Sequence, residues 1–139
     1  MGYLLDTNVV SEPERPKPDE NVLQWLDGID SDDVFLSSLT IGEINKGVVK
    51  LPAGKRRAKI QNWLEQTRYR FAGRILPMTE ATFLVWGRVY GELQKQGIVR
   101  PILDSFFEAT AIEHDLILVT RNVRNFKDTQ VTILNPWED

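Results

Sequence analysis

The chain has 139 residues, 42% of them hydrophobic and 27% charged, with one histidine and no cysteine, a mixture that fits one globular domain with one core and excludes a disulfide framework. Without thiols there is neither a thiolate metal site nor a cysteine nucleophile, so a bound metal must take oxygen ligands or His114 and is expected to be a hard cation. A net charge of −3 excludes binding a polyanion by overall attraction, and a nucleic-acid partner must instead meet a local basic patch.

Met1 to Leu5 runs straight into Asp6, with neither a basic leader nor an apolar stretch long enough to span a bilayer, which predicts a cytoplasmic protein without membrane contact. Tyr3 to Asp6 reads as a short strand closing in a polar turn. Pro13, Pro16 and Pro18 mark a loop, and Val22, Leu23, Leu26 and Ile29 then recur at helical spacing. Val34 to Leu36 is a second strand. Thr40 opens a helix with Ile41, Ile44, Val48 and Leu51 on one face, stopped by Pro52 and Gly54. Ile60, Trp63, Leu64, Thr67 and Phe71 predict a third helix, and Ile75 to Leu76 a brief strand. Phe83, Trp86, Val89, Tyr90 and Leu93 predict a fourth helix ending near Gly97.

Pro101 suits a first helical turn, and the segment from Asp104 to His114 carries apolar residues around most of its circumference, which predicts a helix buried on several sides. Ile117 to Val119 and Val131 to Leu134 read as closing strands, separated by a polar turn from Thr120 to Asp128. Strands alternating with helices predict an α/β fold, in one domain over residues 1–139, with a mostly parallel sheet covered on both faces.

In such a sheet ligands bind beyond the carboxyl ends of the strands, which singles out Asp6, Glu43 and Asp104. Each also has a structural reading. Asp6-Thr7-Asn8 is a turn-forming trio, Glu43 follows Thr40 at capping-box spacing, and Asp104 can complement the dipole at a helix start. The functional reading is joint: acids from three distant segments arrive at one edge of one sheet, where their repulsion calls for a cation. Magnesium or manganese suits such oxygen ligands, because magnesium retains several waters and needs only one or two direct carboxylates.

Thr120-Arg121-Asn122 follows a strand and points at the same crevice, although loop chemistry alone also favours Asn there. Ser37, Ser38 and Thr40 precede Glu43 as supporting donors or as caps. His114, at a helix end and without a Ser or Cys partner, reads as a dipole partner. Lys46, Lys50, Lys55, Arg56, Arg57 and Lys59, followed by Arg68, Arg70 and Arg74, form either a phosphate-binding patch or a solvated face.

Leu4-Leu5-Asp6-Thr7-Asn8-Val9-Val10-Ser11-Glu12, Arg15-Pro16-Lys17-Pro18, Leu51-Pro52-Ala53-Gly54-Lys55-Arg56-Arg57, Val119-Thr120-Arg121-Asn122 and Asn135-Pro136-Trp137-Glu138 stand in the order and spacing of VapC-type PIN-domain toxins of the plasmid-stability subgroup. The chain resembles that family over nearly its whole length. The resemblance implies a three-layer α/β/α fold and a Mg2+- or Mn2+-dependent endoribonuclease whose usual target is transfer RNA. It matches Asp6, Glu43 and Asp104 to the family's main acids, as metal ligands and catalytic groups, and supplies a VapB-type antitoxin through which alone the pair meets operator DNA. Asn122 stands where the family often carries a fourth acid, and Asn125 is a further departure from an acid.

On this reading Asp6 and Asp104 bind the metal, Glu43 is the third ligand or deprotonates the attacking water, and Asn8, Thr120 and Asn122 support them, with Arg121 on an RNA phosphate. A haloacid-dehalogenase-type phosphatase also places an Asp after its first strand, but its general acid two residues on is here Asn8. The missing fourth acid keeps open a catalytically weak, RNA-binding PIN module. Tyr90 and Trp137 read as exposed aromatics compatible with a homodimer.

Overall fold

The computed structural model describes residues 1–138. Five strands, β1 (Tyr3–Leu5), β2 (Val34–Ser37), β3 (Ile75–Leu76), β4 (Ile117–Val119) and β5 (Ile133–Leu134), form one sheet in the order β3-β2-β1-β4-β5. Every pairing is parallel, with Leu4 opposite Phe35 and Leu118, and Leu5 opposite Val119. Parallel strands need long crossovers, and here helices supply all but the one from β4 to β5, which runs through a 3-10 turn: α1 (Thr7–Ser11), α2 (Glu20–Gly28), α3 (Ser38–Lys50), α4 (Lys55–Arg70), α5 (Glu80–Lys95) and α6 (Ile102–His114).

The short apolar runs suit strands covered on both sides, because successive side chains point to opposite faces. Leu5, Leu36 and Val119 join Val9, Val22, Ile44 and Leu64 on the face carrying α1 to α4. Leu4 and Leu118 join Phe107, Ala111 and Phe126 on the other. Each fully buried side chain of this size contributes roughly 1.5–3 kcal/mol relative to exposure. Helix α6 is buried on more than one side, as its composition predicts: Phe107 faces the sheet, while Phe106 meets the rings of Phe83 and Trp86 on α5 at 5.9 and 5.5 Å. The indole of Trp86 donates to Ser105 Oγ at 2.9 Å, and Thr82 donates to Glu113 at 2.6 Å, so α5 is pinned to α6.

Some local expectations are corrected. Thr7 to Ser11 is helical, because Asp6 caps the segment and Val9 and Val10 gain burial by it. Helix α3 starts before Thr40, with Ser37 as cap, its Oγ accepting from Leu39 N at 3.1 Å. Helix α4 starts at Lys55 and so carries the basic run on its first turns, while β5 is confined to Ile133–Leu134. Tyr90 and Trp137 are not exposed aromatics: Tyr90 stacks on Trp86 at 5.2 Å, and Trp137 packs against the core beneath Arg121. Among the described residues no helix is long and apolar enough to cross a membrane.

The chain adds β2 and β3 on one side of β1, then returns to place β4 and β5 on the other. The strand order therefore reverses between β1 and β4, and a crevice opens beyond their carboxyl ends.

Candidate active site

Asp6 and Thr120 are the first residues beyond β1 and β4, and the register that pairs Leu5 with Val119 sets them side by side. The Asp6 amide continues the sheet by donating to Val119 O at 3.0 Å. Its carboxylate accepts from Val9 N at 3.0 Å through Oδ1 and from the buried Thr120 hydroxyl at 2.5 Å through Oδ2. Helix cap and site residue are thus one and the same: capping holds the carboxylate still at the floor of the crevice.

Glu43 sits on the second turn of α3, so the capping box does not form. Its Oε1 accepts instead from the Thr7 hydroxyl at 2.6 Å, and that hydroxyl also lies 3.1 Å from Thr40 Oγ1. Thr7 belongs to the trio read from sequence as a turn, and no periodicity marks its partnership with a residue 36 positions away. Asp104, the third residue of α6, likewise makes no cap bond. Its Oδ2 accepts from Asn125 Nδ2 at 2.9 Å.

Asp6, Glu43 and Asp104 line one open cleft of about 350 Å³, together with Thr7, Asn8, Phe107 and Asn122. Burial pushes the Asp6 carboxyl up to about 6, with repulsion from Asp104 and Glu43 adding to it and the bonds from Thr120 and Val9 opposing it. Asp104 is also raised, by burial first, against the bond from Asn125 and the charge of Arg100. A separate depression between α2 and the end of α4, lined by Leu23, Leu26, Phe71 and Arg74, contains none of these acids.

Among the described residues, no three acid or imidazole side chains converge tightly enough to form a closed metal cage. The acids stand around a cleft, an arrangement suited to a hard divalent cation that keeps much of its water and takes one or two carboxylates directly. The cost of a buried, like-charged Asp6 is the second sign of fit, since a cation relieves it.

Of the predicted supporting residues, Asn8 and Asn122 reach the cleft wall, whereas Thr120 lies behind it and holds Asp6. The Asn122 amide in turn donates to Thr120 Oγ1 at 3.0 Å. Arg121 is exposed beside the cleft, its guanidinium 5.3 Å from the Trp137 ring centre. His114 closes α6 at the opposite end from Asp104, about 15 Å along the axis, with Glu113 3.3 Å away and no access to the acids. Arg100 and Glu108 are absent from the sequence-derived set, and Asn125 enters it only as a departure from the family's acid: a polar loop and two charged residues eight positions apart carry no sign of the contact that joins them.

Acids from three elements gathered at the switch point of an all-parallel sheet define an α/β domain with an acid-lined crevice. The chain belongs to the PIN-domain family, which matches residues 3–131. It is 39% identical to Toxin FitB of Neisseria gonorrhoeae over 98% of this chain and 99% of that protein. It is 35% identical to VapC ribonuclease Y4jK of Sinorhizobium fredii, over 97% of both chains. Similarity extends to the crystal structure of FitAcB from Neisseria gonorrhoeae, with a TM-score of 0.93 and 38% identity over 99% of both chains.

Proposed function

We propose that this chain is a divalent-metal-dependent endoribonuclease, the toxin of a toxin–antitoxin pair, with Asp6, Glu43 and Asp104 as its working acids. The observation that carries the reading is the buried Asp6 carboxylate, held by Thr120 and Val9 and facing Glu43 and Asp104 across one cleft. The names of its relatives support the activity, and the close likeness to FitAcB supports an antitoxin partner of the VapB type. A solved relative with 37% identity is FitAB bound to a DNA fragment, which fits operator contact made by the complex.

Asp6 and Asp104 would hold the cation, Mg2+ or Mn2+, with Glu43 beside them. Such an ion supplies Lewis-acid charge stabilisation and acidifies coordinated water. Glu43, fixed by Thr7, accepts the proton of the attacking water. The water oxygen bonds to phosphorus as the bond to the leaving ribose oxygen breaks, and a proton returns to that oxygen. Asn8 and Asn122 orient water at the wall, and Arg121, braced on Trp137, meets a flanking phosphate. Asn122 contributes no charge, so one strongly held ion is expected rather than two.

The test is cleavage of end-labelled cellular RNA by antitoxin-free protein with Mg2+, with Mn2+ and with EDTA, beside Asp6→Asn and Asp104→Asn. Discrete metal-dependent cuts that both substitutions abolish are expected. Intact RNA with metal bound and the protein folded sinks the nuclease reading and favours a module that only binds RNA.

A further inference from the structure

We infer that Asn125 is a positioning residue for the proposed reaction: its side-chain amide aims the Asp104 carboxylate into the cleft, and the buried Arg100–Glu108 pair holds Asn125 in place. The inference rests on the nuclease reading above.

Asp104 lacks a capping bond, so nothing on its own helix fixes its carboxylate. The restraint comes from across the cleft edge, through Asn125 Nδ2 at 2.9 Å. A carboxylate only accepts, so the asparagine must present its nitrogen. Asn125 lies on the short 3-10 turn Val123–Phe126 after β4, where only Phe126 is buried and a second anchor is needed to fix the position of Asn125. Arg100 provides it. Its Nη1 donates to Asn125 O at 2.8 Å, while Nε and Nη2 bind both oxygens of Glu108 at 2.9 and 3.1 Å.

Arg100 is 2% exposed and Glu108 1%, so the planar guanidinium joins α6 to the turn without solvent between them. Thr129 Oγ1 completes the acceptor set of Glu108 at 2.5 Å, and Phe126 packs under the guanidinium at 5.7 Å. A buried ion pair is weak evidence for stability, since apolar residues of similar volume often serve as well. What this pair achieves that they could not is a fixed distance between the Asn125 carbonyl and α6, and hence between the Asn125 amide and Asp104. Second-layer partners of this kind orient ligating carboxylates.

The experiment compares native protein, Asn125→Ala and Asn125→Leu in three measurements: Mn2+ affinity by calorimetry without RNA, kcat and KM on an RNA that the native protein cuts, and Tm. Asn125→Ala is expected to weaken Mn2+ affinity about tenfold or more and to lower kcat similarly, with KM and Tm nearly unchanged. Asn125→Leu approximates the shape but cannot donate, so it should lose about as much. A purely structural Asn125 predicts that the isosteric variant is silent. Native-like Mn2+ affinity and kcat in Asn125→Ala overturn the role, as does an Asn125→Leu that binds Mn2+ and cuts RNA like the native protein. A native protein that neither binds Mn2+ nor cuts RNA overturns the nuclease reading and this inference together, and the native control separates that case from the others.

Discussion

Thr120 donates its hydroxyl proton to Asp6 Oδ2 at 2.5 Å, joining residues 114 positions apart because β1 and β4 are neighbours in register. That bond opposes the burial that pushes Asp6 up to about 6. Thr120→Val removes the donor while preserving shape, and also strips the Asn122 amide of its acceptor. The Asp6 pKa should rise further, the acid limb of the cleavage-rate profile should move to higher pH, and stability should fall by about 1–3 kcal/mol. A pH–rate profile and urea denaturation of the variant check both.

Asp6 should cost the metal-free protein stability at neutral pH. A carboxyl raised from 3.8 to about 6 on folding binds its proton more tightly in the native state. Its contribution is therefore fully present below about pH 4 and is lost as pH rises through about 6. The shift corresponds to about 3 kcal/mol. Asp6→Asn can still accept from Val9 and escapes this cost. Without metal it should melt several degrees above the native protein at pH 7.5 and close to it at pH 4, and added Mn2+ should stabilise only the native chain.

The Arg100–Glu108 pair sets a different balance. Arg100→Ala strands a carboxylate that is 1% exposed, and should cost about 3–5 kcal/mol. The double substitution Arg100→Met with Glu108→Leu should recover most of that loss while leaving RNA cleavage impaired. A double-mutant cycle by chemical denaturation, run with cleavage assays, separates the two effects.

Lys46 and Lys50 follow Glu43 by three and seven residues on α3 and are exposed, so they share its helix face and lead away from the cleft. If RNA follows this face, replacing both with Ala in the Asp104→Asn background should weaken binding and flatten the salt dependence of log K by about 1.4 for two lost phosphate contacts. Fluorescence anisotropy with a single-stranded RNA at several salt concentrations reads this directly, and an unchanged slope removes the face from the interface.

The pattern of apolar runs was enough to read every strand and five of the six helices, because burial imposes period 2 or 3.6 on the residues that form the core. The exception, α1, is five residues long and too short for periodicity to declare itself. Its cap, Asp6, reads equally well as a turn former. The capping box from Thr40 to Glu43 was a plausible local pairing that the structure replaces with the long-range bond from Thr7.

The amino-acid sequence alone determined that this is an α/β chain with acids at strand ends and helix starts, since hydrophobic periodicity and turn chemistry are local properties. Which acids meet, what restrains them and where Asn125 stands were decided by the parallel register of β1 with β4 and by the Arg100–Glu108 bond between α6 and the turn. Those are contacts between residues far apart along the chain or without periodic relation, and burial, which makes them strong, exists only once the sheet and its helices have packed.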